Sequence, residues 1–71
     1  MGYHLMKVLF ENQFGEKREI GQGKTVDDCM DVIRKFLDDR HYDYAYFRTW
    51  ETSIGTQVDV GSHTEFFYIV G

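Results

Sequence analysis

One helix-spaced apolar stripe, in the middle of the chain, constrains the fold more than any other feature. Its members recur every three or four residues: Val26, Cys29, Met30, Ile33, Phe36 and Leu37. This spacing predicts an amphipathic helix over residues 25–40. Thr25 fits its N-cap, and Asp28 stands three residues later, as in a capping box. A single amphipathic helix can cover only one face of the structure that it packs against.

Strand patterns lie on both sides of this helix. They cover residues 3–10, 16–20, 42–51, 56–60 and 64–70. The charged second strand suits a sheet edge, and residues 21–24 are expected to break the pattern before the helix. The last strand is apolar on both faces, which favours a central position. We therefore predict one α+β domain over residues 1–71, in ββαβββ order, with a single helix packed on one face of an antiparallel sheet.

The chain has few ways to stabilise so small a domain. It has 71 residues, and a single Cys29 excludes an internal disulfide. His4, His41 and His63 lie too far apart for structural zinc spacing, so we expect no metal and no cofactor. Aromatic residues make up 17% of the sequence, and each ring can bury a large area. The composition therefore indicates a folded domain with an aromatic core.

Charge and hydropathy limit the classes of partner. Twelve acidic residues outnumber eight basic ones, giving a net charge of −4 without a basic stripe. This balance disfavours nucleic acid as a partner. No apolar run approaches the length of a membrane span, and the N-terminus lacks signal-peptide architecture. Together with the free cysteine, this favours a soluble protein of a reducing cytoplasm.

The third strand carries an aromatic face formed by Tyr44, Tyr46, Arg48 and Trp50. These side chains alternate with those of the opposite face, as the period of a strand requires. Tyr, Trp and Arg are typical anchors of protein interfaces, so we take these four residues as the predicted interaction face. Two other interpretations stay open. The rings can be core residues, or they can stack on unpaired bases.

The number of apolar strand residues exceeds what one helix can shelter. The buried set should contain Val8, Phe47, Phe67 and Ile69, or their opposite-face neighbours, because the sequence does not determine the register. The second face would then expose aromatic side chains, and such patches mark interaction sites. We expect this face to bind protein, most simply a second copy in a homodimer. The leading hypothesis is a non-enzymatic protein-interaction module.

Residues near the last turn offer an enzymatic alternative. Asp59, Ser62, His63 and Glu65 lie close together in sequence. A catalytic triad there is geometrically awkward, because Ser62 and His63 are adjacent. Local turn hydrogen bonding by Asp59 and Ser62 is the simpler explanation.

Three further patterns have plain structural explanations. The segment Gly21–Thr25 lacks the spacing of a phosphate-binding loop and fits a helix-entry loop. Cys29 lies on the apolar stripe and is expected to be buried. An acidic row on the helix could imitate nucleic-acid phosphates, but basic residues interrupt it. The row comprises Asp27, Asp28, Asp31, Asp38 and Asp39.

Three segments of the chain, residues 10–20, 36–40 and 59–69, are similar to known sequences. They resemble small proteins encoded by phages and prophages of low-GC Gram-positive bacteria. The similarity spans most of the chain, and residues 59–69 are its most specific part. It implies a bacterial cytoplasm and an accessory role in infection, acting on a host factor. It brings no established activity, so it assigns no functional residue.

Overall fold

One helix packs against a five-stranded antiparallel sheet in a computed structural model that describes residues 5–40, 47–61 and 64–71. The elements are β1 (Met6–Glu11), β2 (Lys17–Gly23), α1 (Val26–Asp39), β3 (Arg48–Thr52), β4 (Gly55–Asp59) and β5 (Phe66–Val70). Their order across the sheet is β2-β1-β5-β4-β3. The predicted α+β class and ββαβββ order are confirmed, and β5 takes its predicted central position.

The start of α1 follows the predicted capping pattern. Thr25 has extended backbone angles, and its Oγ1 accepts a hydrogen bond from the Asp28 N–H at 3.1 Å. The Asp28 carboxylate in turn accepts the Lys24 N–H at 3.3 Å. The first bond satisfies a backbone donor that the first helical turn leaves without a partner, and the second ties the residue before the cap to the helix. The cap also places a carboxylate where an anion would bind, which disfavours a phosphate site there.

The predicted break at residues 21–24 is wrong, because β2 continues through Gly23. Both of its glycines allow a close approach of α1. A Cβ at Gly21 would lie 2.6 Å from Val32 Cγ1, and one at Gly23 would lie 2.7 Å from Asp28 Cβ. Neither position has room for a side chain, so the glycines serve helix–sheet contact within an extended strand.

The core lies between α1 and one face of the sheet. The predicted sheet residues Val8, Phe67 and Ile69 are all buried, while Phe47 is half-buried and packs against the core. The stripe of α1 contributes Cys29, Met30, Ile33 and Leu37. Phe10, Phe36 and Phe67 form an aromatic cluster whose ring centroids lie 5.0, 5.3 and 5.7 Å apart. The residues of the central strands that face the helix are thus Val8 and Phe10 in β1 and Phe67 and Ile69 in β5.

The third strand is displaced by one residue from the described part of its predicted range, residues 47–51. It begins at Arg48 and ends at Thr52, whereas the sequence pattern covered residues 42–51. Residues 41–46 lie outside the described part of the chain. A tight connection joins β3 to β4, and Gly55 opens β4 with φ at +143°. This geometry places Arg48 opposite Asp59 and Trp50 opposite Gln57.

Candidate interaction face

The sheet face that points away from α1, called the open face below, carries alternate residues of every strand. Its apolar side chains come from three strands. They are Leu9 of β1, Trp50 of β3, and Phe66, Tyr68 and Val70 of β5. The strand register brings several of them into contact range across the sheet. Trp50 lies opposite Gln57, Gln57 opposite Tyr68, and Tyr68 opposite Leu9. Directly opposed side chains interact in antiparallel sheets, so these residues form one continuous row.

The apolar residues of the open face differ in exposure. Trp50 is 42% exposed, whereas Tyr68 is only 9% exposed. Leu9, Phe66 and Val70 are half-buried. The face therefore presents one accessible indole beside aliphatic and aromatic surface that is partly covered by its neighbours.

Tyr68 is held in place by charged neighbours on the same face. Its hydroxyl donates a hydrogen bond to Glu11 Oε1 at 2.8 Å, and Lys17 Nζ lies 5.4 Å from the centre of its ring. Lys17 Nζ also lies 3.4 Å from Glu11 Oε2. Burial raises the pKa of the Tyr68 hydroxyl, and the hydrogen bond to Glu11 and its charge raise it further. Tyr68 thus acts at neutral pH as a fixed, protonated donor.

A second charged pair orients Arg48 at the other end of the face. Arg48 Nη2 donates to Asp59 Oδ2 at 3.1 Å, and Asp59 Oδ1 accepts the Gly61 N–H at 2.9 Å. Asp59 is only 7% exposed, while the Arg48 side chain is 65% exposed. The carboxylate therefore anchors the guanidinium and leaves much of its surface accessible. The bond to Gly61 agrees with the turn role that the sequence favoured for Asp59.

The structure brings together two of the four residues of the predicted interaction face. Arg48 and Trp50 lie on the open face, two residues apart in β3. Tyr44 and Tyr46 lie outside the described residues, as do Ser62 and His63 of the enzymatic alternative.

Among the described residues, four further apolar members of the open face were missing from the predicted interaction face: Leu9, Phe66, Tyr68 and Val70. The signal for the last three was the β5 run that is apolar on both faces. That run does not reveal which residues face α1.

Comparisons with protein-family models, curated proteins and solved structures find no match.

Cys29 is a core residue. It lies on α1 and is fully buried between the helix and the sheet, with its Sγ 4.0 Å from the Met6 carbonyl oxygen. Burial raises the pKa of the thiol, and the Asp28 charge adds to the effect. Cys29 is therefore neutral at physiological pH and unsuited to nucleophilic chemistry. Its predicted burial is confirmed.

Two further features concern residues 5–40, 47–61 and 64–71. No group of three or more His, Cys, Asp and Glu side chains in these ranges is arranged to hold a metal ion. Helix α1 has 14 residues, and no helix in these ranges has the length and apolar character of a membrane span.

Proposed function

We propose that this domain is a non-enzymatic protein-interaction module whose open face binds a second copy of the same chain. The observation that carries the proposal is the exposed indole of Trp50, which lies in one row with Tyr68 and Leu9. Trp, Tyr and Arg are the residues that contribute most often to interface hot spots. All three types occur on this face, with Arg48 beside Trp50.

The charge of the open face supports a protein partner over nucleic acid. Its basic residues are Lys7, Lys17 and Arg48, and its acidic residues are Glu11, Glu19 and Asp59. The two signs therefore balance, and two of the basic side chains already contact carboxylates. Binding to a phosphate backbone depends on an excess of cations, which this face lacks.

The dimensions of the face favour a weak dimer. Five strands about 4.8 Å apart, with about five residues each rising about 3.3 Å, give roughly 400 Å² per protomer. Two such faces bury roughly 800 Å² in total, which is below the standard size of stable interfaces. We therefore expect a dissociation constant in the micromolar range or above.

The resemblance to phage and prophage proteins supports an accessory role for such a module in a bacterial cytoplasm, acting on a host factor.

Sedimentation equilibrium of the wild type and of Trp50→Ser tests this function. Between about 10 µM and about 1 mM, the wild-type mass should rise from monomer toward dimer. Trp50→Ser should raise the dissociation constant about tenfold or more, because it removes the most exposed ring of the face. Its melting temperature should change little, since Trp50 is not part of the buried core.

Phe14→Ser is the matched control. Phe14 is 76% exposed, more than Trp50, but it lies in the turn between β1 and β2 and not on the open face. Its loss should leave the dissociation constant unchanged. The proposal fails if the wild type remains a monomer at the highest concentration, or if Phe14→Ser weakens the dimer as much as Trp50→Ser does.

A further inference from the structure

The open face consists of three rows that cross the sheet. The middle row contains Leu9, Tyr68, Gln57 and Trp50. On one side of it lie Lys7, Val70, Gly55 and Thr52. On the other side lie Glu11 opposite Phe66, and Asp59 opposite Arg48. The middle row is largely apolar, whereas the two outer rows differ in charge.

The outer rows differ most where β1 crosses them. Lys7 is exposed and makes no ion pair with any residue in the described ranges. Glu11 lies four residues along the same strand. Its Oε2 contacts Lys17 only at 3.4 Å and retains capacity to accept another donor. On either side of the middle row, one strand therefore presents a cation without an ion pair among the described residues and a carboxylate that can accept a further donor.

A two-fold axis between two open faces has two simple directions. Along β5, it would place Lys17 against Arg48 of the second copy and Glu11 against Asp59 of the second copy. Both contacts join like charges, which costs free energy at an interface. The second direction runs across the strands, along the middle row. An axis in this direction places each outer row of one copy against the other outer row of the second copy. Lys7 then meets Glu11 of the second copy, and this contact occurs twice because the interface is isologous.

The axis across the strands also places apolar side chains of one copy against apolar side chains of the other copy. Val70 meets Phe66 of the second copy, while Leu9, Tyr68 and Trp50 each meet their own equivalents. One unfavourable contact remains at the rim. Glu19 lies opposite Leu9 at the β2 end of the middle row, and it meets its own equivalent there, where solvent screens the repulsion. The strands of the two sheets run nearly antiparallel, as in aligned sheet packing.

Resting on the proposed self-association, we infer that the two-fold axis of the dimer crosses the strands along the row from Leu9 to Trp50. Lys7 of each copy pairs with Glu11 of the other copy.

Charge reversal at the two partners tests this arrangement. Lys7→Glu alone should weaken the dimer about tenfold or more, because the introduced carboxylate would face Glu11 of the second copy. Glu11→Lys alone should do the same, with two lysines facing each other. An equimolar mixture should form a heterodimer of near wild-type affinity, because both Glu–Lys contacts are then restored. Sedimentation of the mixture against each variant alone measures the effect.

Lys35→Glu is the control for net charge. It changes the charge of the chain by the same amount as Lys7→Glu, but Lys35 is exposed on α1, away from the open face, so the dissociation constant should change by less than about threefold. Lys17→Glu compares the two axes, because Lys17 faces the neutral Gln22 of the second copy in the inferred dimer. With the axis along β5, the carboxylate introduced by Lys17→Glu would instead face Arg48 of the second copy and tighten the dimer. This comparison stands even if Glu11→Lys destabilises the fold by removing the acceptor of the Tyr68 hydroxyl.

The outcomes separate this inference from the function on which it rests. A wild type that remains monomeric contradicts self-association itself. In another outcome the wild type dimerises, Lys7→Glu leaves the affinity unaltered, and Lys17→Glu tightens the dimer. This result contradicts the inferred direction of the axis and leaves the proposed self-association intact. Weakening by Lys7→Glu, with recovery in the mixture, supports both.

Discussion

Phe67→Ala is expected to lower the free energy of unfolding by about 3–5 kcal/mol. Phe67 is 1% exposed, and its ring packs against Phe10 and Phe36, which lie on β1 and α1. Truncation would open a cavity at the point where helix and sheet meet. A domain of this length has a total stability of roughly 4–10 kcal/mol. The variant should therefore be largely unfolded in mild urea, as followed by circular dichroism.

Leu9→Ala is the control for this experiment. Leu9 lies on β1, next to β5, but it points to the open face and is half-buried. Its truncation should cost about 1 kcal/mol, because less apolar surface returns to water and no closed cavity forms. Equal losses in the two variants would contradict the assignment of the core to the α1 side of the sheet.

Gly55→Ala is expected to cost about 3 kcal/mol or more. Gly55 has φ at +143°, a conformation that alanine rarely adopts. A Cβ there would also lie 2.4 Å from the Ile69 carbonyl oxygen and 2.9 Å from Val70 Cγ1. The oxygen belongs to the backbone of the central strand, so the contact can be relieved only by moving β4 away from β5. Urea denaturation measures the loss.

Gly15→Ala separates backbone strain from steric contact. Gly15 has φ at +82°, but the atom nearest to a Cβ at this position would be Glu11 Oε2, at 3.9 Å. Strain alone should cost about 1–2 kcal/mol. A loss at Gly55 no greater than that at Gly15 would show that β4 and β5 do not pack as closely as their register requires.

Local patterns predicted those parts of the fold that local physics determines. The helix stripe and the Thr25–Asp28 cap depend on residues three or four apart, and both were found where the spacing placed them. The predicted end of β2 was wrong, because Gly21 and Gly23 carry the local signature of a turn. Their role is to let α1 approach the sheet at Val32 and Asp28. A contact between two different elements cannot be recognised from the spacing of neighbouring residues.

The open face was only partly predictable for a related reason. The apolar run of β5 showed that apolar residues lie on both faces. Which of the two alternating sets of side chains faces α1 is determined by packing across the strands. Tyr68 illustrates this limit, since its hydroxyl is bonded to Glu11, 57 residues away in the chain. The link between Arg48 and Asp59 likewise follows from the β3–β4 register.

A dilution series followed by NMR tests most directly whether the open face is the surface of self-association. Between about 1 mM and about 10 µM, the Trp50 indole N–H and the methyl signals of Leu9 and Val70 should shift together along one binding curve. The methyl signals of Ile33 and Leu37, which are buried on the side of α1 that faces the sheet, should stay constant. Constant signals from Trp50, Leu9 and Val70 across the series would contradict the proposed function.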